Sequence, residues 1–281
     1  MDKYIDSHAH YQARQFRNRK ELLEELKQDV AKIINIGSDT DMNLSTLQLV
    51  SLWDYIYGMI GYFPVNVDEL EPSLCSQAED HWLILTKQLM NQKIVGIGEI
   101  GLDYHWDSVG KGKNAVKGKQ ARELQKKWFR KQMELAQELH LPVSIHSRDA
   151  ERETLEILSE FPDVRGVVHC FSYGTNAMNF FLEHGYYIGV GGTATYPSNR
   201  ETQEALKYCP LDRILLETDA PYLTPHQARK HGVRVNDSRT IKEVITFLSM
   251  LKEIHHEEII RVTNENVIRL FPKILEVSHF E

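Results

Sequence analysis

Tyr4-Ile5-Asp6-Ser7-His8-Ala9-His10 begins as a strand-length run and ends in two histidines two residues apart. A doubly wound open sheet would place a glycine-rich phosphate loop after its first strand, where this chain has His8-Ala9-His10. Working outward from this first run, at residues 3–7, further strand-length apolar runs fall at 32–37, 56–61, 94–99, 143–146, 166–169, 186–190 and 213–218. Between them apolar residues recur at helical spacing, as in Leu22, Leu23, Leu26 and Val30, or Phe129, Met133, Ala136 and Leu139. After the eighth run Ile241, Val244, Ile245, Leu248 and Leu251 keep that period, followed by Ile259, Thr263, Val267 and Leu270. The strand runs are nearly all apolar, so each is covered on both faces. Eight strand-helix alternations of this kind predict the α/β class and a (β/α)8 TIM barrel. No Pro/Gly/Ser-rich linker breaks the pattern, and one domain is expected over residues 1–281. Residues 105–120 interrupt the rhythm with Lys111, Lys113, Lys117 and Lys119 among Gly110, Gly112 and Gly118, a locally basic loop on the face where barrel active sites lie.

With 42% hydrophobic and 26% charged residues, the composition excludes a wholly disordered, collagenous or membrane-spanning chain. The balance of 40 acidic against 33 basic residues, a net −7, excludes a polycation that coats duplex DNA, so any nucleic-acid contact must be local. Three cysteines, Cys75, Cys170 and Cys209, are an odd number without C-x-x-C spacing, which argues against a disulfide framework and suits a reducing compartment. The first residues lack a signal pattern, and a cytoplasmic location is expected.

In such a barrel the site is assembled at the C-terminal ends of the strands. There the chain places His8 and His10 after strand one, Glu99 at strand four, His146 at strand five, His169 at strand six and Asp219 after strand eight. At 13 histidines in 281 residues, about three positions at each of eight strand ends would hold roughly one histidine by chance; four stand there. A spacing of two puts both imidazoles of His8-Ala9-His10 on one side of an extended chain. Carboxylates ending apolar runs, as Glu99 and Asp219 do, need a cation or donors to offset desolvation. Six ligands exceed one tetrahedral zinc and suit two divalent ions: His8, His10 and Asp219 on one, His146 and His169 on the other, Glu99 between them. Imidazole-rich ligation favours zinc or manganese over magnesium. Asp219 is expected to orient the nucleophilic water and take its proton, with Glu99 holding the ions together.

Ile5-Asp6-Ser7-His8-Ala9-His10, Gly98-Glu99-Ile100-Gly101-Leu102-Asp103-Tyr104, the run from Leu141 to Ala150, His169-Cys170-Phe171-Ser172 and the run from Leu216 to Leu223 together resemble the TatD family of metal-dependent deoxyribonucleases. The likeness continues to Asn264-Glu265-Asn266-Val267-Ile268-Arg269-Leu270-Phe271. The resemblance implies a TIM barrel of the metallo-dependent hydrolase (amidohydrolase) type, a divalent-metal centre, and hydrolysis of DNA as a 3′ to 5′ exonuclease on single-stranded or frayed ends. It implies metal roles for His8, His10, Glu99, His146, His169 and Asp219. Three departures stand out: Phe63 where the family usually has a histidine near the substrate phosphate, Tyr173 where glycine is usual, and Asn236-Asp237 in place of Asn-Glu-Pro.

Further readings stay open at this level. Arg148 could reach a phosphate or pair with Asp149 or Glu151. Asp103 and Tyr104 could shape the site or cap a loop, and His105 could line it. Glu217 suits a supporting role beside Asp219. Arg229, Lys230, His231 and Arg234 form a second basic cluster that, with the loop lysines, could clamp a nucleic-acid backbone. The same metal arrangement could also serve an amide or ester hydrolase, or a catalytically silent, metal-stabilised binding protein.

Overall fold

The computed structural model describes residues 2–112 and 115–276. In chain order the elements are β1 (Tyr4–Ala9), α1 (Arg19–Leu26), β2 (Val30–Ile36), α2 (Thr40–Leu52), β3 (Ile56–Ile60), α3 (Ala78–Gln88), β4 (Ile94–Asp103), α4 (Gly118–Leu139), β5 (Val143–Arg148), α5 (Glu151–Ser159), β6 (Gly166–Val168), α6 (Thr175–Glu183), β7 (Tyr187–Val190), α7 (Arg200–Tyr208), β8 (Ile214–Leu216), α8 (His226–Lys230), α9 (Ile241–Lys252), α10 (His256–Leu270) and α11 (Lys273–Glu276). The strands pair in sequence order and every pair is parallel. The (β/α)8 barrel expected from the apolar runs is therefore the fold.

Alternate strand residues enter two separate apolar clusters, as a sheet covered on both faces requires. Ile33, Ile56, Ile94, Ile188 and Ile214 pack outward among helix residues such as Leu23, Phe129, Met133 and Leu248. Ile34, Tyr57, Val95, Val167, Tyr187 and Leu215 face the barrel interior. Val267, Leu270, Phe271 and Ile274 join that interior cluster, and the Tyr57 hydroxyl donates to the Ile274 carbonyl at 3.0 Å. The C-terminal helices thus close one end of the barrel, leaving the other for the site.

The sheet closes from β8 back to β1 through a parallel bridge between Ala9 and Ala220. Asp219 donates its N–H to the His8 carbonyl at 2.9 Å, and His10 donates to the Ala220 carbonyl at 2.7 Å. Beneath this seam the buried Asp6 carboxylate accepts from Thr218 N–H at 3.1 Å, Thr218 Oγ1 at 2.7 Å and Ser238 Oγ at 2.6 Å.

Among the boundaries that differ from the sequence expectation, three bear on the site or its supporting helices. Val30 starts β2 instead of ending the first helix, which stops at Leu26. β5 runs two residues past His146, to Arg148. β4 continues past Glu99 to Asp103, with an irregularity around Gly98 and Glu99 instead of a strand end: Ile97 pairs with Val143 but Ile100 with Ile145. This β-bulge holds Glu99, and bulges of this kind re-aim side chains beside active sites. Within the basic loop, Ser108–Val109 and Val116–Lys117 form a short antiparallel hairpin. No helix among the described residues is long and apolar enough to cross a membrane.

Candidate metal centre

β1 delivers His8 and, just past its end, His10; the β4 bulge delivers Glu99, β5 His146, and the turns after β6 and β8 deliver His169 and Asp219. All six converge. Glu99 divides its two oxygens: Oε1 lies 2.9 Å from His146 Nδ1 and 2.7 Å from His169 Nε2, while Oε2 lies 3.7 Å from His8 Nε2 and 3.6 Å from His10 Nε2. His146 Nδ1 and His169 Nε2 are themselves 3.1 Å apart. Asp219 Oδ1 completes the other half, 3.7 Å from His8 Nε2 and 3.2 Å from His10 Nε2. His8, His10 and Asp219 present ligand atoms within 4.8 Å of one another, as do His8, Glu99 and His169. His8 therefore lies between the halves, its ring stacked on that of His169 with centroids 4.0 Å apart.

The outward nitrogens of these histidines fix which face turns inward. His10 Nδ1 pairs with the Ile36 carbonyl at 2.9 Å, His8 Nδ1 with Ser144 Oγ at 3.1 Å, and His146 Nε2 with Asp103 Oδ2 at 3.1 Å. Nδ1–H of His10 must be the donor to a carbonyl, so in the neutral ring, the form that binds a cation, the Nε2 lone pair points at the centre, 3.3 Å from His8 Nε2. Ser144 was missed at the level of sequence, although it stands two residues before His146 and so shares its face. Asp6, which clamps the seam carrying His8 and Asp219, precedes His8 by the same interval.

The electrostatics fit a cation. Burial raises the Glu99 carboxyl, but the charge of His169 and the contacts from His146, His169 and His8 outweigh it and hold Glu99 well below the usual carboxylate range. Asp219 is also lowered, burial being overcome chiefly by His10. Burial opposes charge on His10 and His146 as well, yet Asp219 and Glu99 raise the first to about 9, and Asp103 and Glu99 raise the second to about 9. Burial and the neighbouring imidazoles of His169 and His10 push His8 down to about 4. The carboxylates thus draw positive charge into a buried site, and divalent cations ligated by the imidazole nitrogens satisfy the same demand. Two buried polar atoms beside the centre, His169 Nδ1 and Glu217 Oε2, find no hydrogen-bond partner among the described residues. Glu217 Oε1 accepts from Cys170 N–H and stands 4.0 Å from His169 Nδ1. The carboxylate is accommodated by Gly189, where a Cβ would come within 2.4 Å of Glu217 Oε2.

A cavity of about 610 Å³ opens onto these groups, lined among others by Phe63, Trp106, Arg148, Cys170, Thr193, Asp219 and Tyr222. Phe63 lies edge-on to His146, with centroids 4.6 Å apart. The Tyr173 hydroxyl pairs with Ser147 Oγ at 2.7 Å, and Asn236 Nδ2 donates to the carbonyls of Thr218 and Tyr222, bracing the turn that carries Asp219. Arg148 pairs with neither Asp149 nor Glu151 among the described residues; Asp149 faces His105 instead, 3.4 Å away. Tyr104 turns from the site and lies under the Arg122 guanidinium. Lys111 sits near the carboxylates of Asp39 and Asp68, and Lys113 lies outside the described residues. The cysteines are free.

Residues 5–272 match the family model described as TatD related DNase. The chain belongs to the TatD family of metal-dependent hydrolases. It is 36% identical over 273 residues, 95% of this chain and 98% of the relative, to a protein of Bacillus subtilis named uncharacterized metal-dependent hydrolase YabD. Among solved structures, YjjV, a TatD homolog from Escherichia coli, superposes with a TM-score of 0.76 at 28% identity, covering 96% of this chain and 98% of that one. A TatD-family hydrolase from Entamoeba histolytica superposes with a TM-score of 0.82 at 22% identity, covering 96% and 98%, and shows the shared fold.

Proposed function

We propose that this TatD-family hydrolase is a divalent-metal-dependent deoxyribonuclease that removes nucleotides from the 3′ ends of single-stranded or frayed DNA. The observation that carries this reading is the divided Glu99 carboxylate, with one oxygen against His146 and His169 and the other facing His8 and His10. A carboxylate placed between two sets of nitrogen ligands suits a pair of ions of the kind used in phosphodiester cleavage. His8, His10 and Asp219 would hold one ion, His146 and His169 the other, and Glu99 both; zinc or manganese suits the imidazoles better than magnesium. When bound, such ions supply Lewis-acid stabilisation of phosphoryl charge and a water acidified toward neutrality. Two carboxylates against two divalent ions leave the site with about two positive charges, which favours an anionic phosphate ester.

The chain's own groups do the rest. Asp219 turns Oδ1 toward His10, while its other oxygen has no partner among the described residues and its side chain lines the cavity. That oxygen can hold the nucleophilic water and take its proton. The residue is fixed there by the seam hydrogen bond from its own N–H and by a left-handed backbone, φ 55°, unusual for a residue other than glycine. Arg148, on the cavity wall without an ion pair among the described residues, offers its guanidinium to a phosphate oxygen.

The test is degradation of end-labelled single- and double-stranded DNA. Activity should vanish with chelator and return with manganese or zinc, and single nucleotides should appear from the first time points. Asp219→Asn should lower kcat on the order of 10²- to 10⁴-fold while KM stays within a few-fold, and Glu99→Ala should lose both metal and activity. Stable metal uptake without hydrolysis of any phosphodiester would overturn the reading, and long internal fragments would overturn the exonuclease mode.

A further inference from the structure

Two exposed aromatic side chains flank the mouth of the cavity, and each is tied to an aspartate of the site three residues before it. Trp106 follows Asp103, and its backbone N–H donates to Asp103 Oδ1 at 3.3 Å while Oδ2 of the same carboxylate faces His146. Tyr222 follows Asp219, and its backbone N–H donates to the Asp219 carbonyl at 2.9 Å. Trp106 is 62% exposed and Tyr222 46%. A single exposed aromatic residue is ordinary on a protein surface, but these two are held in place. The Trp106 ring lies edge-on to His105, itself facing Asp149. Tyr222 lies edge-on to His10, with centroids 6.1 Å apart, and its carbonyl accepts from Asn236 at 2.8 Å. Both line the cavity together with Phe63, Leu223 and Arg148.

The chemistry of these walls differs from that of the floor. The floor offers cation ligands and the wall a guanidinium with no ion pair among the described residues, which suit a phosphodiester; the rim offers flat apolar faces, which suit the flat faces of unpaired bases. A cavity of this size, in the range that encloses a small ligand, admits the end of one strand. Resting on the nuclease reading above, we propose that Trp106 and Tyr222 are stacking faces for unpaired bases next to the scissile phosphate, so that the site selects strand ends by base stacking and not by sequence. Every base presents a flat face, so the preference is for unpaired over paired ends.

The experiment uses the full chain and single-stranded hexathymidylate, compared with the same oligomer carrying abasic units at its last two positions. In chelator, the oligomer should quench tryptophan fluorescence. Of the four tryptophans, Trp53 and Trp128 are buried and the half-buried Trp82 packs on the core away from the cavity, so Trp106→Ala should remove most of that signal and weaken the binding followed by anisotropy of a labelled oligomer. With metal, the wild type should favour the base-bearing oligomer in KM by roughly ten-fold, within the range that stacking supplies. Trp106→Ala and Tyr222→Leu should each erode that preference, and Trp106→Phe should restore most of it. A preference unchanged in both variants, or no preference in the wild type, would overturn the stacking role while leaving the nuclease reading intact. Failure of the wild type to cleave any oligonucleotide would overturn the nuclease reading itself.

Discussion

Asp103 does two jobs with one carboxylate. Oδ2 fixes the His146 ring, and Oδ1 accepts from the backbone of His105 at 3.0 Å and of Trp106 at 3.3 Å. The alternatives open in sequence, shaping the site or capping the loop, are both realised. Gln125 of α4 clamps the residue from behind, accepting from its N–H at 2.9 Å and donating to its carbonyl at 3.0 Å. Loss of a group that orients a metal-binding imidazole costs roughly 10- to 100-fold in metal affinity. Asp103→Asn should therefore weaken zinc binding by about that factor in a competitive chelator titration while the far-ultraviolet circular dichroism stays unchanged. An affinity equal to the wild type would remove Asp103 from the support of the centre.

At the scale of elements, β4 decides where the shared carboxylate points. Its pairing with β5 slips between Ile97 and Ile100, and Glu99 emerges from the slip. Just beyond, Gly101 adopts φ +137°, and a Cβ there would come within 2.0 Å of the His146 carbonyl oxygen. The two strands that carry Glu99 and His146 can approach only because this position has no side chain. Gly101→Ala should cost roughly 2–4 kcal/mol, combining a backbone conformation that L-residues avoid with a clash against main chain. Urea unfolding measures it; a loss below about 0.5 kcal/mol, the range of neutral surface changes, would mean that the bulge relaxes without consequence.

For the molecule as a whole, ligands drawn from five strands and the turns that follow them exist as a set only when the barrel is closed, so a metal that binds them stabilises the fold. At a free concentration 100 times its Kd the gain is about 2.7 kcal/mol, and melting with and without zinc should differ accordingly, with the difference absent in Glu99→Ala. Long-range charge adds a second expectation. Arg229, Lys230 and Arg234 form no ion pair among the described residues, and α8 is tied through the His226 N–H, which donates to Thr195 Oγ1 at 2.8 Å, to the same turn that carries the cavity residue Thr193. If these cations follow a DNA backbone, each contact adds a slope of about 0.7 to the logarithmic salt dependence on single strands. Replacing all three with glutamine should flatten the slope by about 2; an unchanged slope would place the strand elsewhere. Lys111, lying among carboxylates, should contribute little.

Periodicity alone announced the barrel, because burial on both faces of a parallel strand and on one face of each helix leaves a direct mark on apolar spacing. Read with barrel topology, it also placed His8, His10, Glu99, His146, His169 and Asp219 toward one rim, although β4 and β5 run on past Glu99 and His146. What spacing could not carry was register and orientation. The slip at Glu99, the seam bond between His8 and Asp219, the support from Ser144 and Asp103, and the turning of Phe63, Trp106 and Tyr222 toward one cavity all depend on contacts between residues tens to hundreds of positions apart. Such contacts are set by how the strands pack against one another, and only the folded chain brings them together.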